Sequence, residues 1–242
     1  MVVEKLNILV LDNWSWLGES DQLKELVGGG KALAERYRVR MGDPQDLKGL
    51  VNVICIKTKG MSADYAYEDL KGKGHSGANC GTYVIGHTPG YSGDTLGGLS
   101  PAGLAKVLKD LAIVPVRKLC LMGCSSGYGD KDHGHKGNPT YLSALCEALA
   151  IPDLLVAAWR HFVTIDEEGH KRVKVPYNDS NAKPVRPSAE NRKSQKVAYQ
   201  WRENSKSVVG LDVWSDKSKF VYALRDGNMT VLPANWAEKG NL

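Results

Sequence analysis

Short apolar runs recurring between helical patterns constrain this chain more than any other feature. LNILVLD (6–12), YRVRM (37–41), VNVICIK (51–57), TYVIGH (82–87), KLCLMG (118–123) and LLVAAW (154–159) are all of strand length. Several are apolar throughout rather than alternating, as in strands buried on both faces of a parallel sheet. Between them, SPAGLAKVLKDL (100–111) carries a helix signature: Ser100 at the N-cap, Pro101 in the first turn, and Leu104, Val107, Leu108 and Leu111 on one face. PTYLSALCEALA (139–150) is a second amphipathic helix. Strands and helices alternating at these lengths predict an α/β fold, with a mostly parallel central sheet flanked by helices and right-handed crossovers.

The texture changes at Phe162. VTIDEEGHKRVKV reads as two strands around an Asp-Glu-Glu-Gly turn, and a polar Pro/Asn/Ser-rich stretch (176–194) follows. KVAYQWRE, SVVGLDVWSD, KFVYALRDG and MTVLP then read as short antiparallel strands. The expected organisation is one domain over 1–242, with an α/β core (1–161) and a C-terminal β-rich flap subdomain (162–242).

Composition narrows the function classes. With 42% hydrophobic and 24% charged residues the chain has the make-up of an ordinary globular protein. No apolar run approaches bilayer length, and MVVEKLNILVLDNW reads as a buried first strand rather than a signal peptide. Five cysteines, Cys55, Cys80, Cys120, Cys124 and Cys146, are an odd number set mostly in apolar runs, which points to reduced thiols and a reducing compartment. Net charge is only +5, but residues 168–206 are dense in Lys and Arg, predicting one basic face. The aromatic spacing there is not that of a base-stacking platform, so a compact polyphosphate fits better than nucleic acid.

The chemistry concentrates at two strand ends. TYVIGH and KLCLMGC each finish in glycine followed by one reactive side chain, His87 and Cys124. Open α/β sheets place ligands at the carboxyl ends of their parallel strands. One crossover helix separates the two runs, so they are expected to be adjacent, with imidazole and thiol in one crevice. An imidazole that takes the thiol proton makes cysteine a competent nucleophile, and backbone N–H groups at the two exits, at Thr88 and Cys124, would serve an oxyanion.

These residues resemble the cysteine protease domains embedded in large bacterial toxins of the MARTX and clostridial glucosylating types, relatives of caspases, gingipains, legumain and clostripain. The similarity runs from YRVRMGDPQDLKG (37–49) through VIGHTPGYSGDTLGGLSPAGLAKVL (84–108) and KLCLMGCSSG (118–127) to VAAWRHFVTIDEEGHKRV (156–173). It implies a caspase-like sandwich with His87 as acid/base and Cys124 as nucleophile. It further implies cleavage after a hydrophobic residue such as leucine, in the chain itself or in another protein. Inositol hexakisphosphate would be the allosteric activator, held by Arg160, Lys171, Arg172, Lys193 and Lys196. The resemblance also implies a monomeric, secreted bacterial protein, part of a toxin or an effector, acting in the host cytosol without membrane or nucleic-acid partners. The chain departs from the family pattern in having Thr88, then Pro89, where glycine usually follows the histidine. Its segments at 57–80 and 128–138 also lie outside that pattern.

Two alternatives stay open on the residues alone. One is a catalytically idle polyphosphate-binding module, which Thr88 keeps in view. The other is a metal-binding protein using His75, Cys80, His133 and His135. Their spacing is not that of a zinc motif, so no metal is expected.

Overall fold

The computed structural model describes residues 3–12, 21–58, 70–88, 94–124, 126, 141–160, 162–174, 181–188, 196–211, 214–216, 220–225 and 228–232. The elements there are β1 (Lys5–Asp12), α1 (Asp21–Arg40), β2 (Val51–Lys57), β3 (Gly77–Ile85), α2 (Pro101–Asp110), β4 (Val116–Met122), α3 (Tyr141–Leu149) and β5 (Leu155–Trp159). The C-terminal stretch adds β6 (Val163–Ile165), β7 (Lys171–Lys174), β8 (Pro184–Val185), β9 (Lys196–Arg202), β10 (Ser207–Leu211), β11 (Trp214–Asp216), β12 (Phe220–Arg225) and β13 (Asn228–Leu232).

A seven-stranded sheet in the order β10-β9-β5-β4-β3-β1-β2 forms the centre. From β2 to β5 all neighbours are parallel. β9 and β10 extend the sheet in antiparallel fashion. The protein is therefore a mixed α/β sandwich, as the alternating runs predict. The sheet takes strands from both sides of residue 161, because β9 pairs with β5. β6, β7 and β8 make a second sheet, and β11, β12 and β13 a third.

The apolar runs explain the layers. Ile8, Leu9, Val10 and Leu11 of β1 are all fully buried. Successive strand side chains point to opposite faces, so a wholly apolar run needs cover on both. Leu9 and Leu11 join Leu104, Leu108, Leu142 and Leu145 in one core beneath α2 and α3. Ile8 and Val10 join Leu33 and Ala34 of α1 and Val163 and Val173 of the β6–β7 hairpin in the other. Helix α2 follows its sequence signature closely: the Ser100 hydroxyl accepts from Gly103 N at 3.2 Å, and the backbone turns helical at Pro101. Such a cap contributes about 1 kcal/mol. A buried Asn7 pins the approach to β3. It donates to His75 O (2.7 Å) and Thr82 Oγ1 (3.1 Å) and accepts from His75 N (2.8 Å), so its burial leaves no amide group wanting.

One expectation fails. Residues 37–41 are not a strand: α1 runs on to Arg40. Leu26, Gly30, Leu33, Ala34 and Tyr37 recur at helical spacing toward the sheet, and that face outweighs the strand preference of Tyr37 and Val39. Val39 is on the outer side, 62% exposed. Glycine is required in this helix at position 30, where a Cβ would stand 2.8 Å from Val10 Cγ2. Among the described residues no helix is long and apolar enough to cross a membrane.

Candidate functional site

The site begins with strand register. β3 and β4 are adjacent and parallel, and their last paired residues are Ile85 and Met122. Gly86 and Gly123 come next, and there the two chains run in contact: a Cβ on Gly123 would lie 2.9 Å from Gly86 O and 2.3 Å from Leu96 Cδ1. No side chain fits at Gly123, and a Cβ at Gly86 would press on Gly97 N at 3.2 Å, so both exits favour glycine. His87 and Cys124 follow directly.

His87 and Cys124 line one cavity of about 180 Å³. Its walls are Ile85, Gly86 and Met122 from the strand ends, Glu25, Leu26 and Gly29 from α1, and Phe162, Val163, Thr164 and Ile165 from β6 and the residue before it. The wall is mixed: Leu26, Ile85, Met122, Phe162, Val163 and Ile165 give it apolar surface, and His87, Cys124, Thr164 and Glu25 bring an imidazole, a thiol, a hydroxyl and a carboxylate. The Thr88 hydroxyl donates to the Cys124 carbonyl oxygen, and Gly97 N–H donates to His87 O at 2.7 Å. Both exits are thereby tied down. The expected oxyanion groups, the N–H groups of Thr88 and Cys124, sit on these two adjoining exits.

Burial dominates the electrostatics. It pushes the Cys124 thiol above its ordinary range, and the negative charge of Glu25 pushes the same way. A hydrogen bond with the Val163 backbone opposes burial more than Glu25 assists it; the thiol itself donates to Val163 O at 3.6 Å. His87 moves down, chiefly because burial disfavours the imidazolium, with Glu25 opposing. Its Nε2 is buried and has no hydrogen-bond partner among the described residues. A raised thiol and a lowered imidazole are both neutral near pH 7. Thiolate would then arise by proton transfer during reaction rather than stand ready as an ion pair.

Glu25 is the acidic residue that sequence reasoning missed. Its carboxylate lines the cavity and accepts from Thr164 Oγ1 at 3.4 Å. The signal was present in the helical face that includes neighbouring Leu26, but α1 was not recognised.

A second cluster lies farther back on the same sheet face. Lys118 of β4 is buried, and its pKa falls well below the usual lysine value because of burial first and then the charges of Lys196 and Lys171. Lys171 Nζ donates to Tyr83 OH at 2.6 Å and lies 4.0 Å from that ring's centroid. Tyr83 OH also shares a 2.8 Å hydrogen bond with Tyr37 OH. Lys196 Nζ stands 4.8 Å from the centroid of the Trp159 ring. Of the basic residues expected to converge, Lys171 and Lys196 do so, and Lys118 joins them unforeseen.

Arg172 does not join that cluster. Neighbours on a strand face opposite ways, and its guanidinium holds Asp166 through Nη2 at 2.5 Å and Nε at 2.6 Å. Arg160 is half-buried at the end of β5 and is not among the charges acting on Lys118 or Cys120. Lys193 lies outside the described residues, as do His133 and His135.

Among the described residues, Asp166, Glu168 and His170 bring ligand-type atoms within 4.8 Å of one another; His75 and Cys80 are not part of that group. Those three build the β6–β7 turn. Asp166 Oδ1 accepts from Glu168 N (3.1 Å) and His170 N (2.7 Å), while Oδ2 takes Arg172. The carboxylate is thus occupied with closing the hairpin and holding a cation the chain supplies itself. Cys80 Sγ donates to Ser76 O at 3.2 Å, a local structural contact.

A scan against protein-family models finds no match to this chain, and a search of curated proteins finds none either.

Proposed function

We propose that this protein is a cysteine endopeptidase with Cys124 as nucleophile and His87 as its base, switched by a compact polyphosphate. The observation that carries the reading is the parallel pairing of β3 with β4, which brings His87 and Cys124 to one cavity. In the proposed reaction His87 takes the Cys124 proton as Sγ attacks the scissile carbonyl carbon. The oxyanion faces the N–H groups of Thr88 and Cys124. As the tetrahedral species collapses, the C–N bond breaks and the amine leaves with the proton from His87. Water, deprotonated by His87, then attacks the thioester, and the acid product departs as the proton returns to sulfur. Glu25 favours the imidazolium that forms on the way, since its charge raises the His87 pKa.

The apolar wall of Leu26, Ile85, Met122 and Phe162 suits a hydrophobic side chain such as leucine next to the cleaved bond. The buried Lys118 and the half-buried Lys171 and Lys196 suit a dense anion, inositol hexakisphosphate by the resemblance above, because phosphate would offset the cost of their mutual repulsion. A bacterial toxin or effector acting in the reducing cytosol of a host fits five free thiols. The chain or an added protein should therefore acquire a new terminus, after a hydrophobic residue, when incubated with inositol hexakisphosphate. Mass spectrometry reads this directly; an intact substrate with the activator bound would reject the reading.

One observation favours a second reading, an idle polyphosphate-binding module. The Cys124 thiol is covered by β6 and hydrogen-bonded to Val163 O, with its pKa raised. Binding of the polyphosphate without any gain in Cys124 reactivity would support that module.

A further inference from the structure

Gly86 and Gly123 leave the two strand exits without side chains of their own to fix their spacing, and glycine is the residue with most backbone freedom to lose. His87 and Cys124 must nevertheless be held in one relative position. The His87 carbonyl is secured to Gly97 N–H at 2.7 Å, and Gly97 O in turn accepts from the Thr58 hydroxyl. The link from this anchored exit across to the Cys124 exit is the Thr88 hydroxyl, donating to the Cys124 carbonyl. Threonine is well matched to such a link, because its β-branch restricts χ1 and the hydroxyl direction is largely set by the backbone. Its methyl is also in place, with Thr88 Cγ2 3.4 Å from where a Cβ on Gly123 would stand.

We infer that Thr88 is a positioning residue, a hydroxyl clamp that holds the Cys124 turn in register with His87 and keeps the thiol within the cavity. For its effect on catalysis the inference rests on the peptidase reading above. The clamp itself is a geometric claim about Cys124 and is testable without any cleavage.

The test compares Thr88→Val, which replaces the hydroxyl by a methyl of similar size, with Thr88→Ser, which keeps the donor. Iodoacetamide alkylation of Cys124 is followed by peptide mass mapping at pH 8, and cleavage is followed with inositol hexakisphosphate present. Losing the clamp frees the turn, so thiol exposure rises while alignment is lost. Thr88→Val should alkylate at Cys124 roughly threefold or more faster than wild type. Its kcat should fall about tenfold or more with KM little changed, as misaligned reacting groups require. Thr88→Ser should recover most of both effects. Opposite changes in alkylation and turnover, with rescue by serine, are not expected from a loss of stability alone. Should Thr88→Val not fold, Thr88→Ala carries the same expectations. If wild type cleaves nothing, the peptidase reading fails by itself and alkylation alone decides the clamp. Equal alkylation of wild type and Thr88→Val, or no rescue by Thr88→Ser, overturns it.

Discussion

Cys120 and Cys124 stand four residues apart, one inside β4 and one just past its end, and their thiols shift in opposite directions. Burial pushes both upward. At Cys120 the charges of Lys196, Lys171 and Lys118 together outweigh burial and bring the pKa down. At Cys124 burial is the leading influence, and the charge of Glu25 adds to it. Three lysines reverse the effect of burial at Cys120, and no such set of cations reverses it at Cys124. The comparison also warns against equating a lowered thiol pKa with catalysis. The thiol whose pKa is lowered is only 1% exposed among lysines, while the one facing a cavity with an imidazole is raised.

The lysine end offers the largest effect with which to break this comparison. Replacing Lys118, Lys171 and Lys196 together with Met should weaken inositol hexakisphosphate binding by about 100-fold or more in calorimetry, since charge-assisted contacts contribute roughly 1.5–3 kcal/mol each. Arg172→Met should change it by less than about threefold, because that guanidinium faces Asp166. An arginine variant as damaged as the triple lysine variant would move the anion site to the other face of the hairpin.

The next effect belongs to the cavity end. Glu25→Gln removes a charge that raises both His87 and Cys124. Cleavage needs neutral imidazole, so it should decline as pH falls through a value below 6.5. In Glu25→Gln that acid limb should move lower still, and the pH midpoint of Cys124 alkylation should fall too. Turnover should drop about tenfold with loss of the charge that favours the imidazolium. Unmoved pH profiles would remove Glu25 from the site.

A smaller effect concerns stability without ligand. The folded pKa of Lys118 is depressed, so between that value and the unfolded pKa the native state binds fewer protons than the unfolded one. Its contribution to stability therefore rises with pH across that window and is least below it. Lys118→Met should stabilise the ligand-free protein at pH 7 by roughly 1–3 kcal/mol and flatten the alkaline gain, as thermal melts at about pH 7 and pH 9.5 would reveal. A melting point that falls at pH 7 would mean the buried lysine is held by compensating contacts.

The smallest effect sits in α1, which spans both ends. A Cβ at Gly28 meets nothing within 4 Å, so Gly28→Ala should stabilise the helix by up to about 1 kcal/mol. Gly30→Ala should destabilise, since Val10 Cγ2 stands 2.8 Å from the new Cβ. Equal melting shifts from the two would mean the helix does not seat on the sheet as described.

Much of the fold was legible because apolar runs and a capped helix are local signals. Val51–Lys57 matches its predicted bounds, and α2 begins at Ser100 and Pro101 as read. The pairing of His87 with Cys124 was legible because both follow glycine at strand ends, a feature the parallel register turns into proximity. Glu25 and Lys118 were not. Glu25 depends on a helix whose face is broken by three consecutive glycines, and the sequence does not say that Gly30 is there for close approach to Val10. Lys118 looked like a polar strand boundary, whereas β4 begins two residues earlier and carries it into the interior. The Lys171–Arg172 pair misled for a simpler reason: adjacent residues on a strand cannot both face one ligand.

The central claim is that Cys124, not its more acidic neighbour, is the nucleophile. The most direct measurement is peptide-bond cleavage under saturating inositol hexakisphosphate by Cys124→Ala and Cys120→Ala, each checked for folding by thermal melt. Cys124→Ala should melt near wild type and cut nothing. Cys120→Ala should melt lower, from the small void it leaves in the core, and still cut. Cleavage that survives in Cys124→Ala but vanishes in a folded Cys120→Ala would contradict the account.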